Sequence, residues 1–306
     1  MSFFENGLKA KVMSTQLIIE ANVSKKILFE ALNLVKQFEE KYSAYKSNSL
    51  VSLINHYSGV QAIPLSDEDR EIFEKALDIA ETSDGLFDPT IGVLTQGLYG
   101  FGTDHSKIPN EQEIYEVKKL VNYKKLKIDN DKVFLEDKGM QLDLGGIGKG
   151  YIADKVVEFL LRKGATKGLV SAGGEIVTFG KNYTIAIKNP FEKGNIGVIH
   201  SSKTPLSIST SGDYERFIGS KEHHHILDNK SAKQNHFYSS ITLIQNGVDA
   251  TLLDGVSTIA FNSKPEHLQS IAQKFNIAII AISKEKEIYM KNLQNLDIKN
   301  IDIYPF

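Results

Sequence analysis

Apolar residues recur at helical spacing over several long stretches of the chain. In residues 24–41 they fall three or four positions apart, which places them on one side of an α-helix, and Ser24 is a suitable N-cap. A similar pattern begins at residue 67 and is stopped by Gly85. The same spacing predicts helices over 24–41, 67–85, 110–121, 150–164, 248–262 and 265–275.

Shorter stretches alternate between apolar and polar positions or are rich in β-branched residues, and these predict strands. Residues 126–137 are the clearest case, because an Asn-Asp pair separates two alternating runs and predicts a hairpin. Further strands are predicted over 9–23, 168–180, 183–190, 196–210, 238–245 and 277–290.

The order of these elements indicates an α+β fold, because helices and strands follow one another without a regular βαβ repeat. No internal repeat, low-complexity tract or Pro/Ser-rich linker interrupts the chain. We therefore expect a single domain over residues 1–306. A two-lobed organisation stays open, since the sequence marks no boundary.

Composition narrows the classes of function. The 36 Lys and Arg residues against 38 Asp and Glu give a net charge of −2, whereas nucleic-acid-binding domains carry a basic excess. The chain has no Cys, which excludes disulfides, thiolate metal sites and a cysteine nucleophile.

No apolar run approaches the roughly 18 residues of a membrane span. The N-terminus lacks a signal-peptide pattern, so we expect a cytoplasmic protein, or an envelope protein whose leader has been trimmed away.

The stretch "LDLGGIGKGYIAD", residues 142–154, resembles a phosphate-binding turn. Glycines before a helix let backbone N–H groups approach an anion, and Lys149 adds a positive charge. The stretch nevertheless lacks both the P-loop spacing and the G-x-G-x-x-G pattern. From these residues alone, a tight turn into a helix explains it as well as a ligand site does.

A second candidate lies in "LLDGVSTIAF", residues 252–261. Asp254, Ser257 and Thr258 stand at positions i, i+3 and i+4, which share one face of a helix. One carboxylate and two hydroxyl oxygens, completed by a backbone carbonyl and water, suit a hard cation such as Mg²⁺. The alternative is that Asp254 is an N-cap followed by an ordinary polar helix face.

Three glycine-containing loops could also bind a ligand, and each has a simpler reading. "GLFDPTIG" (85–92) is typical of a turn around Asp88. "VSAGGEI" (170–176) is typical of a bulge or a close backbone approach at a strand end. "STSGDYERF" (209–217) either holds a phosphate or simply turns.

Three consecutive histidines follow at 223–225. In an extended chain side chains alternate, so His223 and His225 would face one side and His224 the other. Imidazole titrates near neutral pH, which suits a general base. A solvated histidine cluster is the alternative.

Taken together and in this order, the motifs resemble those of the ApbE-type FAD:protein FMN transferases. The resemblance runs from about Met13 to about Phe261, which is most of the chain. Its motifs are "MST" (13–15), "YSAYKSNSLVSLIN" (42–55), "GLFDPTIG" (85–92), "LYGFG" (98–102), "LDLGGIGKGY" (142–151), "SAGGEI" (171–176), "STSGDYERF" (209–217), "HHILD" (224–228) and "LLDGVST" (252–258). Each motif is weak alone, and nine in the family's order are specific.

The resemblance implies a fold, a reaction and partners. The implied fold is an α+β, T-fold-like domain with FAD in a central cleft. The implied reaction is Mg²⁺-dependent transfer of FMN from FAD to a Thr or Ser hydroxyl of an acceptor flavoprotein, with a phosphoester bond formed and AMP released. With water as acceptor the same site would be a FAD pyrophosphatase, and without turnover the chain would be a flavin-binding protein.

The resemblance also assigns residues. It implies His225 as the base that activates the acceptor hydroxyl. It implies a metal site made of Gly146, through its carbonyl, and the side chains of Asp254, Ser257 and Thr258. It implies FAD contacts from Met13, Tyr45, Leu86, Phe87, Asp88, Asp143, Lys149 and Ile226.

The chain departs from the family pattern in three places. Lys46, Ser47 and Leu50 replace residues that often follow the tyrosine of the second motif. Glu175 stands where Asp is usual. Asn229 and Ala232 replace the family's Pro and Gly after His225, whereas the metal triad and the Asp-Gly-Gly-Lys turn are intact.

Overall fold

The computed structural model describes residues 1–4 and 7–304. The chain forms two compact units. We call the first unit residues 1–39, 148–212 and 237–306, and the second unit residues 40–147 and 213–236. The expected single family domain over 1–306 stays a prediction, and the α+β class is confirmed.

Strands and helices alternate irregularly along the chain. The strands are β1 (Ser2–Phe4), β2 (Gly7–Val12), β3 (Thr15–Ala21), β4 (Ile63–Pro64), β5 (Leu126–Asp129), β6 (Lys132–Leu135), β7 (Gly168–Ala172), β8 (Glu175–Phe179), β9 (Thr184–Lys188), β10 (Asn195–Ser201), β11 (Leu206–Gly212), β12 (Tyr238–Asn246), β13 (Ala278–Ser283), β14 (Ile288–Lys291) and β15 (Ile298–Ile303). The α-helices are α1 (Lys25–Tyr42), α2 (Leu50–His56), α3 (Asp67–Thr82), α4 (Glu111–Lys118), α5 (Gly148–Arg162), α6 (Ala250–Phe261) and α7 (Leu268–Lys274).

The first unit is built on a nine-stranded antiparallel sheet. Its strand order is β1-β2-β3-β7-β8-β11-β12-β13-β14. Helices α5 and α6 pack against each other and against the central strands of this sheet. A second, three-stranded sheet of order β15-β10-β9 buries isoleucines against residues of β11, β12 and β13, so the first unit has apolar packing on more than one layer.

The hairpin β2–β3 corrects one prediction, since residues 9–23 were expected to form one strand. Met13 and Ser14 have φ angles of 50° and 58°, and these two left-handed residues reverse the chain between the strands. Left-handed backbone at both central positions is the geometry of a tight hairpin turn. Neither residue is Gly, Asn or Asp, so the usual turn signal is missing from the sequence.

Helices α5 and α6 approach each other closely at Gly150. A Cβ atom at this position would lie 2.1 Å from the carbonyl oxygen of Ala250, so only glycine fits. Asp154, one turn further along α5, accepts hydrogen bonds from the N–H groups of Ala250 and Thr251 at 2.8 and 2.9 Å. A buried carboxylate of α5 therefore caps the first turn of α6 and fixes the two helices together.

The second unit contains α2, α3 and α4 and a small sheet of order β4-β6-β5. The predicted hairpin at 126–137 is confirmed, with Asn130 in the left-handed region at φ 52°. Helix α3 ends at Thr82, before Gly85 at φ 75°. A π-helical segment, Val93–Leu98, packs with α4 through an apolar cluster that includes Phe101 and Leu227.

The six predicted helices are all present. Residue Ser24 lies at the start of α1, where the N–H of Ile27 donates to its hydroxyl at 3.4 Å. The pattern did not reveal α2, the π-helical segment, β1, β4 or β15, which are all short or irregular. Within the described part of the chain, no helix combines the length and the apolar character that crossing a membrane requires.

Candidate active site

The three predicted metal-ligating side chains lie on α6 in the first unit. Asp254 and Ser257 are buried, and Thr258 is partly buried. The N-cap of α6 is Asp249, whose side chain accepts from the N–H of Leu252 at 3.2 Å. The alternative reading of Asp254 as an N-cap is therefore wrong. A carboxylate buried in the interior of a helix needs a partner for its charge.

Asp254 belongs to a buried charge cluster with Lys149 and Glu175. Lys149 Nζ lies 2.6 Å from Glu175 Oε1 and 2.9 Å from Asp254 Oδ1. The backbone N–H of Gly150 donates to Asp254 Oδ2 at 3.0 Å. The side chains of Glu175 and Asp254 are 2% and 4% exposed, while that of Lys149 is 31% exposed. Two buried carboxyl groups thus share the ammonium group of one partly exposed lysine.

The cluster shifts the titration of its members. Burial, followed by the negative charge of Asp254, raises the pKa of Glu175 to about 8 against the opposing effect of Lys149. Burial alone would lower the pKa of Lys149, but the charges of Asp254 and Glu175 and their hydrogen bonds outweigh it and raise that pKa. Lys149 is therefore a permanent cation, and Glu175 binds a proton below a pH of about 8 in the metal-free cluster.

The oxygen atoms around Asp254 are of the kind that binds a hard cation. Glu175 Oε2 is buried, and no donor among the described residues reaches it. The Ser257 hydroxyl donates to the carbonyl of Asp254 at 2.7 Å and contacts the Ser211 hydroxyl at 2.8 Å, while the Thr258 hydroxyl donates to the carbonyl of Gly255 at 2.8 Å. Each hydroxyl oxygen keeps lone pairs for a ligand. Carboxylate and hydroxyl oxygens are the ligands that suit Mg²⁺.

The cation would not be held by carboxylates and imidazoles alone. Within the described residues, no group of three or more His, Cys, Asp or Glu side chains is arranged to hold a metal. A site at Asp254 therefore requires hydroxyl or carbonyl oxygens as further ligands, as the Ser257 and Thr258 assignment supposes.

The Gly-Gly pair of "SAGGEI" forms the turn between β7 and β8 in the first unit. A Cβ at Gly174 would lie 2.3 Å from the carbonyl oxygen of Thr210, and one at Gly173 would lie 2.7 Å from the Thr15 hydroxyl. The predicted close backbone approach is confirmed. It places the start of β8, where Glu175 stands, beside β11, and it brings the β2–β3 turn that carries the half-buried Met13 to the same end of the sheet.

In the second unit, the turn that precedes α5 is organised by Asp143. Its Oδ1 accepts from the N–H of Gly145 at 2.7 Å, and its Oδ2 accepts from the Thr95 hydroxyl at 2.6 Å. Its own N–H donates to the carbonyl of Pro89 at 2.8 Å. Gly146, the expected carbonyl ligand, follows as a half-buried residue. The reading of a tight turn is confirmed, and the FAD contact of Asp143 stays a prediction.

Asp88 likewise organises a turn. Its carboxylate accepts from the N–H and the hydroxyl of Thr90, at 2.8 and 2.6 Å, and from the N–H of Tyr123 at 2.8 Å. Burial raises the pKa of Asp88, and these hydrogen bonds oppose the rise. Phe87 is buried and Leu86 is half-buried beside it. The turn interpretation is confirmed, while the FAD contacts of residues 86–88 stay predictions.

Tyr45 is an aromatic residue that is 48% exposed. Its hydroxyl donates to the carbonyl of Phe101 at 2.9 Å and accepts from Arg216 Nη1 at 3.3 Å. Burial of the hydroxyl end, followed by the charge of Asp143, raises the pKa of Tyr45, and Arg216 opposes this rise. The phenol is thus fixed at its polar end while much of its ring is open to solvent, as a stacking platform requires.

The histidine run divides as the alternation predicted. His224 is buried, whereas His223 and His225 are half-buried. Nδ1 of His225 lies 3.1 Å from the carbonyl oxygen of Arg216, so in the neutral ring Nδ1 carries the proton and Nε2 the lone pair. Ile226, the next residue, is buried.

Asn229, which departs from the family pattern, has a structural role. Its amide donates to the carbonyls of Gly85 and Leu86 at 3.3 and 2.9 Å. It thereby ties the loop after His225 to the turn that carries residues 86–88, and both belong to the second unit. An amide in place of the usual proline holds the two loops together by hydrogen bonds.

Sequence reasoning missed several residues that organise these sets. Arg216 was not singled out, although it stands inside a quoted motif, and Thr95 had no recognisable spacing. Glu175 and Asn229 were noted only as departures from the family pattern. A carboxylate at the start of a strand rich in apolar residues was the available signal, since such a group needs a buried partner.

Comparisons with known proteins identify the family of this chain. The ApbE family model matches residues 12–281. A relative from Klebsiella pneumoniae (strain 342), named FAD:protein FMN transferase, is 30% identical over 275 residues, which are 88% of this chain and 86% of the relative.

Solved structures have the same fold. The crystal structure of the ApbE protein from Thermotoga maritima superposes with a TM-score of 0.86 at 26% identity, over 96% of this chain and 99% of that one. The flavin transferase ApbE from Vibrio cholerae superposes with a TM-score of 0.82 at 24% identity, over 94% of this chain and 96% of that one. The resemblance inferred from the nine motifs is confirmed, and the chain belongs to the ApbE family.

Proposed function

We propose that this chain transfers FMN from FAD to the hydroxyl of a Thr or Ser residue in an acceptor flavoprotein and releases AMP. Membership of the ApbE family, whose relatives are named FAD:protein FMN transferases, supports the transfer of FMN. The observation in this chain that carries the proposal is the Lys149–Glu175–Asp254 cluster. Buried carboxyl groups beside a fixed ammonium group suit a cation-dependent reaction at a pyrophosphate.

In the proposed reaction, the acceptor hydroxyl oxygen forms a bond to the phosphorus on the FMN side of the FAD pyrophosphate. The bond from that phosphorus to the bridging oxygen breaks, and AMP leaves with the oxygen. The hydroxyl proton passes to Nε2 of His225, because Nδ1 faces the carbonyl of Arg216. FAD and the hydroxyl are thereby converted to AMP and a phosphoester-linked FMN, with one proton released.

Asp254, Ser257, Thr258 and the carbonyl of Gly146 would hold Mg²⁺. When bound, Mg²⁺ supplies neutralisation of the charge on the pyrophosphate oxygens. Lys149 adds a second positive charge, and Glu175 and Asp254 fix the position of its ammonium group. Positioning and electrostatics of this kind account for most of the rate in phosphoryl transfer.

The remaining assignments concern FAD itself. Tyr45 would stack on the flavin, since its ring is exposed while its hydroxyl is held by two hydrogen bonds. Apolar contacts would come from side chains at the turns described above. The proposed FAD contacts are Met13, Tyr45, Leu86, Phe87, Asp88, Asp143, Lys149 and Ile226.

The test is incubation of the protein with FAD and either Mg²⁺ or EDTA, with AMP followed by chromatography, in the presence and absence of an acceptor flavoprotein. We expect AMP release that requires both Mg²⁺ and the acceptor. AMP and free FMN released equally without acceptor would identify a FAD pyrophosphatase instead. FAD that stays bound and intact under all conditions would identify a flavin-binding protein.

A further inference from the structure

Arg216 is half-buried and contacts Tyr45, the proposed flavin-stacking residue, and His225, the proposed base. It lies in the second unit, in the loop that follows β11. Its Nη1 donates to the Tyr45 hydroxyl at 3.3 Å, and the guanidinium carbon lies 5.9 Å from the centre of the Tyr45 ring. The same guanidinium faces Gly102, where an added Cβ would lie 3.6 Å from Nη1.

The backbone of Arg216 is fixed from the other side. Its carbonyl oxygen accepts from the N–H of His225 at 3.1 Å, and a β-bridge joins Phe217 to His224. The N–H of Ile218 donates to the carbonyl of His223 at 3.1 Å. Residues 216–218 and 223–225 thus form a short ladder, so the guanidinium projects from an ordered backbone next to His225.

Among the described residues, no carboxylate lies within ion-pairing distance of Arg216, whereas Arg70 of the same unit pairs with Asp67 at 3.1 Å. A guanidinium group has five N–H donors, and the Tyr45 hydroxyl takes one of them. A half-buried, oriented guanidinium with unused donors is suited to bind a ligand oxygen that carries negative charge.

We propose that Arg216 donates hydrogen bonds to an oxygen on the flavin half of FAD. This oxygen is either a phosphate oxygen of the FMN moiety or a carbonyl oxygen at the edge of the flavin ring. The inference rests on the proposed function, because Tyr45 and His225 are given their roles there. It adds a charged binding residue from a motif that the resemblance left without a role. The two sources of the oxygen share one chemistry and differ in the ligands that retain them.

The experiment measures the affinity of Arg216→Met and Arg216→Lys for FAD, FMN, riboflavin and AMP by flavin fluorescence and calorimetry. Arg162→Met is the matched control, since Arg162 is an exposed arginine at the end of α5 in the first unit. Loss of a charged hydrogen bond weakens binding about tenfold or more, so we expect that loss for FAD and FMN in Arg216→Met. Lysine keeps the charge without the planar fork, and Arg216→Lys should lose less.

Riboflavin, which has the flavin ring but no phosphate, distinguishes the phosphate oxygen from the ring carbonyl oxygen. Unchanged riboflavin affinity in Arg216→Met assigns the phosphate, and an equal loss for riboflavin and FMN assigns the ring edge. AMP affinity should not change. The inference is overturned if FAD and FMN bind Arg216→Met as tightly as the unchanged protein, or if AMP binding falls by the same factor as FMN binding. Failure of the unchanged protein to bind any flavin would refute the proposed function as well.

Discussion

The two sets of candidate site residues differ in how the fold holds them. In the first unit, Lys149, Glu175 and Asp254 stand on α5, β8 and α6 and are joined by charged contacts of 2.6 and 2.9 Å. In the second unit, Tyr45 and His225 stand on loops, and each is held through its polar end by a backbone carbonyl. One set is fixed by regular elements and buried charge, and the other by loop hydrogen bonds.

The difference matches what each set would do. A cation and a pyrophosphate need donors at fixed positions, and residues on packed helices and strands provide them. Gly150 and Asp154 serve this purpose, because they lock α5 to α6. A flavin ring and an incoming protein segment need an accessible surface, which loops can offer. The comparison therefore predicts that changes in the first unit affect metal dependence and stability, and changes in the second unit affect turnover with the fold intact.

The largest expected effect comes from breaking the first-unit cluster at its centre. Asp254→Ala removes the carboxylate shared by Lys149 and the proposed cation, so Mg²⁺-dependent AMP release should be abolished. Initial rates with saturating FAD measure this loss. Asp249→Ala is the control, since Asp249 caps the same helix and its loss should lower stability while the rate stays within a few-fold. A wild-type rate in Asp254→Ala would refute the metal assignment.

The corresponding change in the second unit is His225→Gln. Removing a general base lowers the rate by about 10²- to 10⁴-fold, and FAD affinity should stay near that of the unchanged protein. Single-turnover transfer and flavin fluorescence measure the two quantities. His223→Gln serves as the matched control, because His223 lies in the same run and has no assigned role. Equal effects of the two substitutions would show that His225 is not the base.

The packing that supports the first-unit cluster is tested by Gly150→Ala. The added methyl group would stand 2.1 Å from the Ala250 carbonyl, so α5 and α6 must separate. Overpacking of this kind costs about 1–3 kcal/mol, which urea unfolding can measure. Gly148→Ala introduces the same methyl group 3.6 Å from the Phe38 ring, an ordinary contact, and should change the free energy of unfolding far less. Equal stability of both variants would contradict the account of the helix contact.

The smallest expected effect concerns pH. The pKa of Glu175 is raised from 4.5 to about 8, so between these values the folded chain holds a proton that the unfolded chain has released. The free energy of unfolding of the metal-free protein should therefore decrease as pH rises through this range. Glu175→Gln removes the titrating group and should make the decrease between pH 5 and pH 8 smaller. The comparison uses urea unfolding in EDTA, with the exposed Glu158→Gln as control, and an unchanged pH dependence in Glu175→Gln would contradict the shifted pKa.

Much of the fold could be predicted because apolar residues recur at regular spacing along its helices and strands. The amphipathic stretches predicted six helices, all of which the structure contains, and the Asn-Asp turn predicted the β5–β6 hairpin. The prediction failed where local geometry was not encoded by a common residue type. Met13 and Ser14 adopt left-handed turn conformations without Gly or Asn, and β4 is only two residues long.

The site was predictable as a set of motifs and not as a set of contacts. Spacing placed Asp254, Ser257 and Thr258 together because a helix fixes i, i+3 and i+4 neighbours. Asp254 contacts Lys149, 105 positions away along the chain, and Lys149 joins it to Glu175, 79 positions away from Asp254. No local spacing encodes such contacts. Arg216 escaped notice for the same reason, since its partner Tyr45 is 171 positions distant.

The intact mass of an acceptor flavoprotein, after incubation with the protein, FAD and Mg²⁺, tests the proposed FMN transfer most directly. We expect a gain equal to one FMN minus one water, located on a Thr or Ser, absent in EDTA and absent when that residue is replaced by Ala. An acceptor of unchanged mass, while FAD is consumed to AMP and free FMN at the same rate, would contradict the claim that this chain transfers FMN to protein.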